Sequence, residues 1–92
     1  MVLTSIIEES TRTDARMLDR AEGILVGLRR CTINDAFDEI VAASKRHRVP
    51  TLSMARALVA LAENRGMETE NTAGFAARYE WASLFEPSAG HR

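Results

Sequence analysis

The 92-residue sequence predicts an all-α protein: a three-helix bundle with an N-terminal helical extension and a short C-terminal amphipathic helix. Apolar residues recur at three- and four-residue spacing through most of the chain, which is the period of an amphipathic helix. No window alternates convincingly with period two, and no Asn-Gly or Asp-Gly pair marks a hairpin turn. Two short breaks, at Cys31-Thr32 and Val49-Pro50, divide the pattern into helices that fold back on one another.

The first helix is predicted from about Asp14 to Arg29. Its apolar stripe consists of Leu18, Ala21, Leu25 and Leu28. Residues 1–13 form the extension. Heptad-like apolar positions there allow a two-stranded coiled coil that continues this helix, although Ser10 and Asp14 place a polar break in its middle.

The second helix starts at Thr32, which has the form of an N-cap with Asp35 in the first turn. We expect its inner face to consist of Ile33, Phe37, Ile40, Val41 and Ser44. Pro50 suits the first turn of the third helix, and Gly66 suits its end. Residues 14–65 are therefore predicted to form the three-helix domain.

Residues 66–92 form a tail with a short helix at about 73–85, which holds four of the five aromatic residues of the chain. We expect one face, made by Phe75, Tyr79, Ala82 and Phe85, to pack against the bundle or against a second protomer. The alternative is that Tyr79 or Trp81 stacks on unpaired nucleobases.

Composition restricts the class of protein. The net charge is −1, but residues 16–58 carry eight Lys or Arg against five acidic residues, a mild indication of an anionic partner. The single cysteine, Cys31, excludes an intrachain disulfide and a cysteine-rich zinc site, which fits a reducing cytoplasm. Apolar runs are too short for a membrane span, and the N-terminus turns acidic too early for a signal peptide. His47 and His91 have no carboxylate at ligand spacing, so we predict no metal, no cofactor and no enzymatic activity.

An ordered set of short motifs resembles the ANTAR domain, the RNA-binding antitermination module of bacterial regulators, over roughly residues 15–62. The motifs are Ala21-x-Gly23-Ile24-Leu25, Cys31-Thr32, Ala36-Phe37, Ala43-Ser44, Val49-Pro50 and Ala55-x-x-Leu58-Val59. The resemblance implies a three-helix module, usually linked to a receiver or sensor domain, that dimerises and binds tandem hairpin loops in nascent messenger RNA. Binding there prevents a terminator from forming. The sequence departs from the common family pattern at Glu22, at Leu28 to Arg30, and at Lys45 and Arg48.

The basic residues fall into two groups about 20 Å apart, the length of the second helix. Arg29 and Arg30 lie at the turn between the first two helices. The other group lies where the second helix ends and the third begins, and we expect it to bind the phosphates and unpaired bases of an RNA loop. Its cations are Arg16, Arg20, Lys45, Arg46 and Arg48, and Thr51 and Ser53 are expected to offer hydroxyls near the unpaired bases.

Gly23 and Gly27 lie in a predicted helix interior, where each glycine costs about 1 kcal/mol relative to alanine. With Ile24 and Leu28 they predict a surface for close helix packing, against Phe37 for example, or for dimer contact. Direct contact with RNA is a further alternative.

These features predict a cytoplasmic RNA-binding transcription antitermination regulator that recognises hairpin loops as a homodimer. Two alternatives remain at this point. A stand-alone helical module could form a hetero-oligomer with a larger regulator, or three short helices could bind duplex DNA. No membrane partner is expected.

Overall fold

The computed structural model describes the backbone of residues 2–64 and 71–85 and the side chains of residues 12–64 and 71–85. Within these ranges every regular element is helical, so the all-α class is confirmed. The elements are α1 (Val2–Arg29), α2 (Ile33–His47), α3 (Thr51–Ala62), α4 (Thr72–Trp81) and a final 3₁₀ turn, η1 (Ala82–Phe85).

Helix α1 joins the predicted extension and the predicted first helix into one continuous helix of 28 residues. At 1.5 Å per residue it is about 42 Å long. Its buried stripe contains Ala21 and Leu25, which are both fully inaccessible to solvent. The coiled coil predicted for residues 1–13 concerns side chains that lie mostly outside the described residues, and it stays a prediction.

Helix α2 begins as the sequence predicts, because Asp35 donates its backbone N–H to the hydroxyl of Thr32 over 3.0 Å. The predicted inner face is partly wrong. Ile40 and Ser44 are buried, but Ile33 and Phe37 are 54% and 40% exposed. The other inward residues are Ala36 and Ala43. Small side chains let neighbouring helices approach closely, so the contact is centred on the alanines and the larger residues are left at its edge.

Helix α3 is the centre of the molecule and packs against α1, α2 and α4. Pro50 is its N-cap rather than a first-turn residue, and Ala62 is its last residue. Asn64 follows in the left-handed conformation, with φ of 61°. The predicted stop at Gly66 lies outside the described residues. Four consecutive buried residues, Ala57 to Ala60, show that neighbouring elements surround this part of the helix, whereas Arg56 just before it is exposed.

Helix α4 begins at an N-cap, Asn71, whose side-chain oxygen accepts the N–H of Gly74 over 2.7 Å. The predicted packing of this face against the bundle is wrong for Phe75 and Tyr79, although Phe85 is partly buried against the core, and packing against a second protomer stays a prediction. Phe75 and Tyr79 are 66% and 83% exposed. The buried side chains are instead Ala73, Ala76, Ala77 and Trp81. Three alanines bring α4 close to α3, and the single tryptophan fills the remaining space at the end of the contact.

Candidate nucleic-acid interface

The basic end of α2 is shaped by a left-handed residue. Arg48 has φ of 57° and ψ of 47°, a conformation that usually favours glycine, and it ends the helix. The next amide, that of Val49, donates to the carbonyl of Ser44 over 2.9 Å. The hydroxyls of Ser44 and Thr51 lie 3.1 Å apart and share a hydrogen bond, which fixes the start of α3 against the end of α2. Thr51 therefore has a structural partner, whereas the sequence predicted it to face RNA.

Arg46 and His47 are both held by one carboxylate. Glu80 of α4 accepts hydrogen bonds from Arg46 Nη2 over 2.8 Å and Arg46 Nε over 3.1 Å, and from His47 Nε2 over 2.8 Å. The hydrogen bond from Arg46 lowers the pKa of the Glu80 carboxyl group. Burial acts in the opposite direction, and the hydrogen bond from His47 lowers the pKa further. The same contact raises the pKa of Arg46. Arg46 is thus paired with an acid and is not the free cation that the sequence predicted.

A groove of about 460 Å³ lies between the start of α3 and the start of α4. It is lined by Arg48, Val49, Pro50, Ser53, Arg56, Ala57, Ala60, Asn71, Thr72 and Ala73. The lining brings together two of the predicted site residues, Arg48 and Ser53. It adds Arg56, which the sequence analysis missed because nothing local distinguishes one arginine on a helix from another. No lining residue is acidic, although one guanidinium nitrogen of Arg56 lies 3.3 Å from Asp14.

The remaining predicted cations do not converge on this groove. Arg16 and Arg20 are exposed and project from α1 on the side away from buried Ala21 and Leu25. Lys45 is exposed on the outer side of α2. The structure therefore divides the predicted anion site between the groove, the end of α2 and the outer face of α1.

The second basic group is not a free pair either. Arg29 donates from Nε to Glu39 over 2.9 Å, and that carboxylate also accepts the indole N–H of Trp81 over 2.8 Å. Arg30 is exposed and ends α1 with φ of 57°. Arg29 therefore links α1 to α2 through Glu39, whereas Arg30 faces solvent.

The glycines of α1 do not pack closely within the protomer. A Cβ atom added at Gly23 or Gly27 would meet nothing within 4 Å. Close packing within the protomer, against Phe37 or another of its helices, is therefore wrong, and the dimer contact stays a prediction. Each residue of an α-helix is rotated by about 100° from the one before it. Gly23 and Gly27 follow the buried residues Ala21 and Leu25 by two positions, a rotation of about 200°, so both glycines face outward. Gly23, Gly27, Arg16 and Arg20 consequently share the outer face of α1, which we call the glycine strip.

The family model described as the ANTAR domain matches residues 9–59, more than half of the chain. The chain belongs to the ANTAR domain family. No curated protein and no solved structure matches it. ANTAR domains are regulatory RNA-binding modules of antitermination.

The ANTAR match ends within α3, so α4 lies beyond it. Both the groove and the Arg46–Glu80 pair are nevertheless built jointly by the ANTAR core and α4. Among residues 2–64 and 71–85 no group of three His, Cys, Asp or Glu is placed to hold a metal ion. In the same residues no helix combines the length and apolarity needed to cross a membrane.

The open glycine strip leads to a stability prediction. Replacing Gly23 with alanine should raise the free energy of unfolding by about 0.5–1 kcal/mol, because the methyl group meets no neighbour and alanine favours the helix. Chemical denaturation followed by circular dichroism measures the change. Loss of stability would show that the protomer, or its dimer, covers Gly23.

Proposed function

We propose that this protein binds hairpin loops in nascent messenger RNA as a dimer and thereby prevents termination of transcription in the cytoplasm. The observation that carries the proposal is the match of the ANTAR domain to residues 9–59. The matched residues include Arg16, Arg20, Lys45, Arg48 and Ser53.

Phosphate contact is best supported at the end of α2. Lys45 and Arg48 are exposed, and neither side chain has an acidic partner among the described residues. Arg48 also borders the groove with Ser53, whose hydroxyl can bond to a base or a ribose. Phosphate contacts supply affinity without sequence preference, whereas the unpaired bases of a loop carry the specificity.

A dimer is supported by apolar side chains left in solvent at the opposite end of the ANTAR core. Leu28, Ile33 and Phe37 are 40%, 54% and 40% exposed where α1 passes into α2. Exposed apolar side chains that lie together are typical of interfaces. Two linked sites bind tandem hairpins far more tightly than one, because the second binding step is intramolecular.

The proposal is tested with a double variant, Lys45→Gln with Arg48→Gln. Affinity for tandem RNA hairpins should fall about fivefold, and the slope of log K against log salt should become shallower by about 0.7 for each phosphate that the variant no longer neutralises. The matched control is Arg30→Gln, which removes an exposed arginine from the other end of α2. Filter binding at about 50 and 200 mM salt measures both quantities.

Equal affinity and equal slope for the double variant and the wild type would contradict the assignment of the phosphate-binding residues. Light scattering, with binding to duplex DNA in parallel, tests the rest of the proposal. A monomer contradicts the dimer, and a preference for duplex DNA contradicts RNA recognition. Hetero-oligomers with a larger regulator, without RNA binding, would make this chain an interaction module instead.

A further inference from the structure

The outer face of α4 carries two aromatic rings that the fold leaves in solvent. Phe75 and Tyr79 are 66% and 83% exposed, while the opposite face of the helix holds the buried alanines and Trp81. Residues four apart on a helix are neighbours on its surface. The two rings therefore form one exposed aromatic pair, which we call the α4 platform.

A guanidinium and an imidazole border the platform. The guanidinium of Arg78 lies 6.0 Å from the centroid of the Phe75 ring. The rings of Tyr79 and His47 meet edge to face, with centroids 5.6 Å apart. His47 is the last residue of α2, so its contact with Tyr79 makes the platform continuous with the basic sequence from Lys45 to Arg48.

We propose that the α4 platform stacks unpaired bases of the RNA whose phosphates bind at the end of α2, an inference that rests on the proposed function. A single strand offers flat bases and a charged backbone, and these match exposed rings beside cations. Because every base has a π face, this stacking adds affinity with little sequence preference.

The spacing of the rings favours bases that are splayed apart. A separation of four residues corresponds to about 6 Å along the helix axis. Bases stacked in a duplex are about 3.4 Å apart. Successive bases of a regular stack are closer than two residues at this spacing along α4, so Phe75 and Tyr79 suit separate, splayed bases of a loop.

The net charge around the platform favours RNA over a protein partner. Glu80 accepts hydrogen bonds from Arg46 and His47, but Lys45 and Arg48, two residues before and one residue after His47, have no acidic partner in the described part of the chain. An apolar protein surface placed here would have to desolvate these cations, which is costly when they stay unpaired.

Two variants test the platform, Tyr79→Leu and Phe75→Leu, which keep apolar bulk and remove the ring. Tyr79→Phe is the matched control because it keeps the ring. The probes are a hairpin RNA with an unpaired loop and an unstructured oligoadenylate. Each leucine variant should bind both probes about fivefold more weakly with an unchanged salt slope, whereas Tyr79→Phe should bind like the wild type. Ultraviolet crosslinking of the wild type should place RNA adducts on Phe75 or Tyr79.

The outcomes separate the platform from the proposed function. Leucine variants that bind as tightly as the wild type overturn the platform and leave hairpin recognition standing. Ring-dependent binding of oligoadenylate, without any preference for the hairpin, supports the platform and overturns hairpin recognition. Failure of the wild type to bind either RNA overturns both. A leucine variant that changes the oligomeric state shows that the face is a protein interface, and this too overturns the platform.

Discussion

Replacing Trp81 with alanine should lower the free energy of unfolding by about 3–5 kcal/mol, the cost of emptying a large buried aromatic site. The side chain is completely buried at the end of α4. Its indole N–H donates to Glu39 of α2 over 2.8 Å, and the same carboxylate accepts from Arg29 of α1. The substitution therefore removes apolar packing and also the hydrogen bond that ties α4 to α2.

Urea unfolding followed by far-ultraviolet circular dichroism measures this change. Phe75→Ala is the matched control, because it removes an aromatic ring from the exposed face of the same helix and should change stability little. Trp81→Phe should fall between the two, since it keeps most of the volume but has no N–H donor. A decrease below about 1 kcal/mol for Trp81→Ala would show that α4 is not part of the cooperative unit.

The helices could be predicted from the sequence because their signals are local. Thr32 and Asp35 form a cap through a hydrogen bond between residues three apart, and the apolar period then carries the helix forward. The end of α2 was harder to place. Pro50 marks the break, but Arg48 adopts the left-handed conformation without being glycine or asparagine, so the residue that makes the turn had no signal of its own.

The faces of the helices could not be predicted as well, because the facing helix decides which residues are buried. In α4 the aromatic period suggested an inner face with Phe75 and Tyr79, but close approach to α3 selects the alanines. In α1, Gly23 is two positions after Ala21, so its outward direction follows once Ala21 and Leu25 are known to be the buried residues of the helix.

Only the residues of the candidate site that are close along the chain could be grouped from the sequence, because contacts between separate helices depend on how the helices pack. The sequence brings Lys45 and Arg48 together because they are close along the chain. The partner of Arg46 is Glu80, 34 residues away, on a helix whose packing had to be known before the pair could be found. No spacing rule predicts an ion pair between separate helices.

Removing the carboxylate with Glu80→Gln should lower the free energy of unfolding by about 2 kcal/mol near neutral pH. Hydrogen bonds to a charged group contribute about 1.5–3 kcal/mol each when they are protected from water. The side chain of Glu80 is 12% exposed and that of His47 24%, so the hydrogen bond between them is protected. The Arg46 side chain is 56% exposed, and solvent screening makes its share small.

The effect should depend on pH with a definite sign. The hydrogen bonds lower the pKa of Glu80 from its ordinary value of 4.5, so the unfolded chain binds a proton at this group more readily than the folded one. The stabilisation is then complete above 4.5 and is lost as the pH falls through the lower pKa of the folded state. The difference in stability between wild type and Glu80→Gln should therefore shrink toward zero in acid.

Thermal unfolding of both proteins across this pH range measures that difference directly. Asp38→Asn is the matched control, since Asp38 is exposed on α2 and has no ion-pair partner among the described residues. A difference that stays constant into acid would contradict the role given to the carboxylate.

Freed from Glu80, Arg46 adds one cation beside Lys45 and Arg48. If the phosphates bind there, Glu80→Gln should destabilise the protein while it strengthens RNA binding and steepens its dependence on salt.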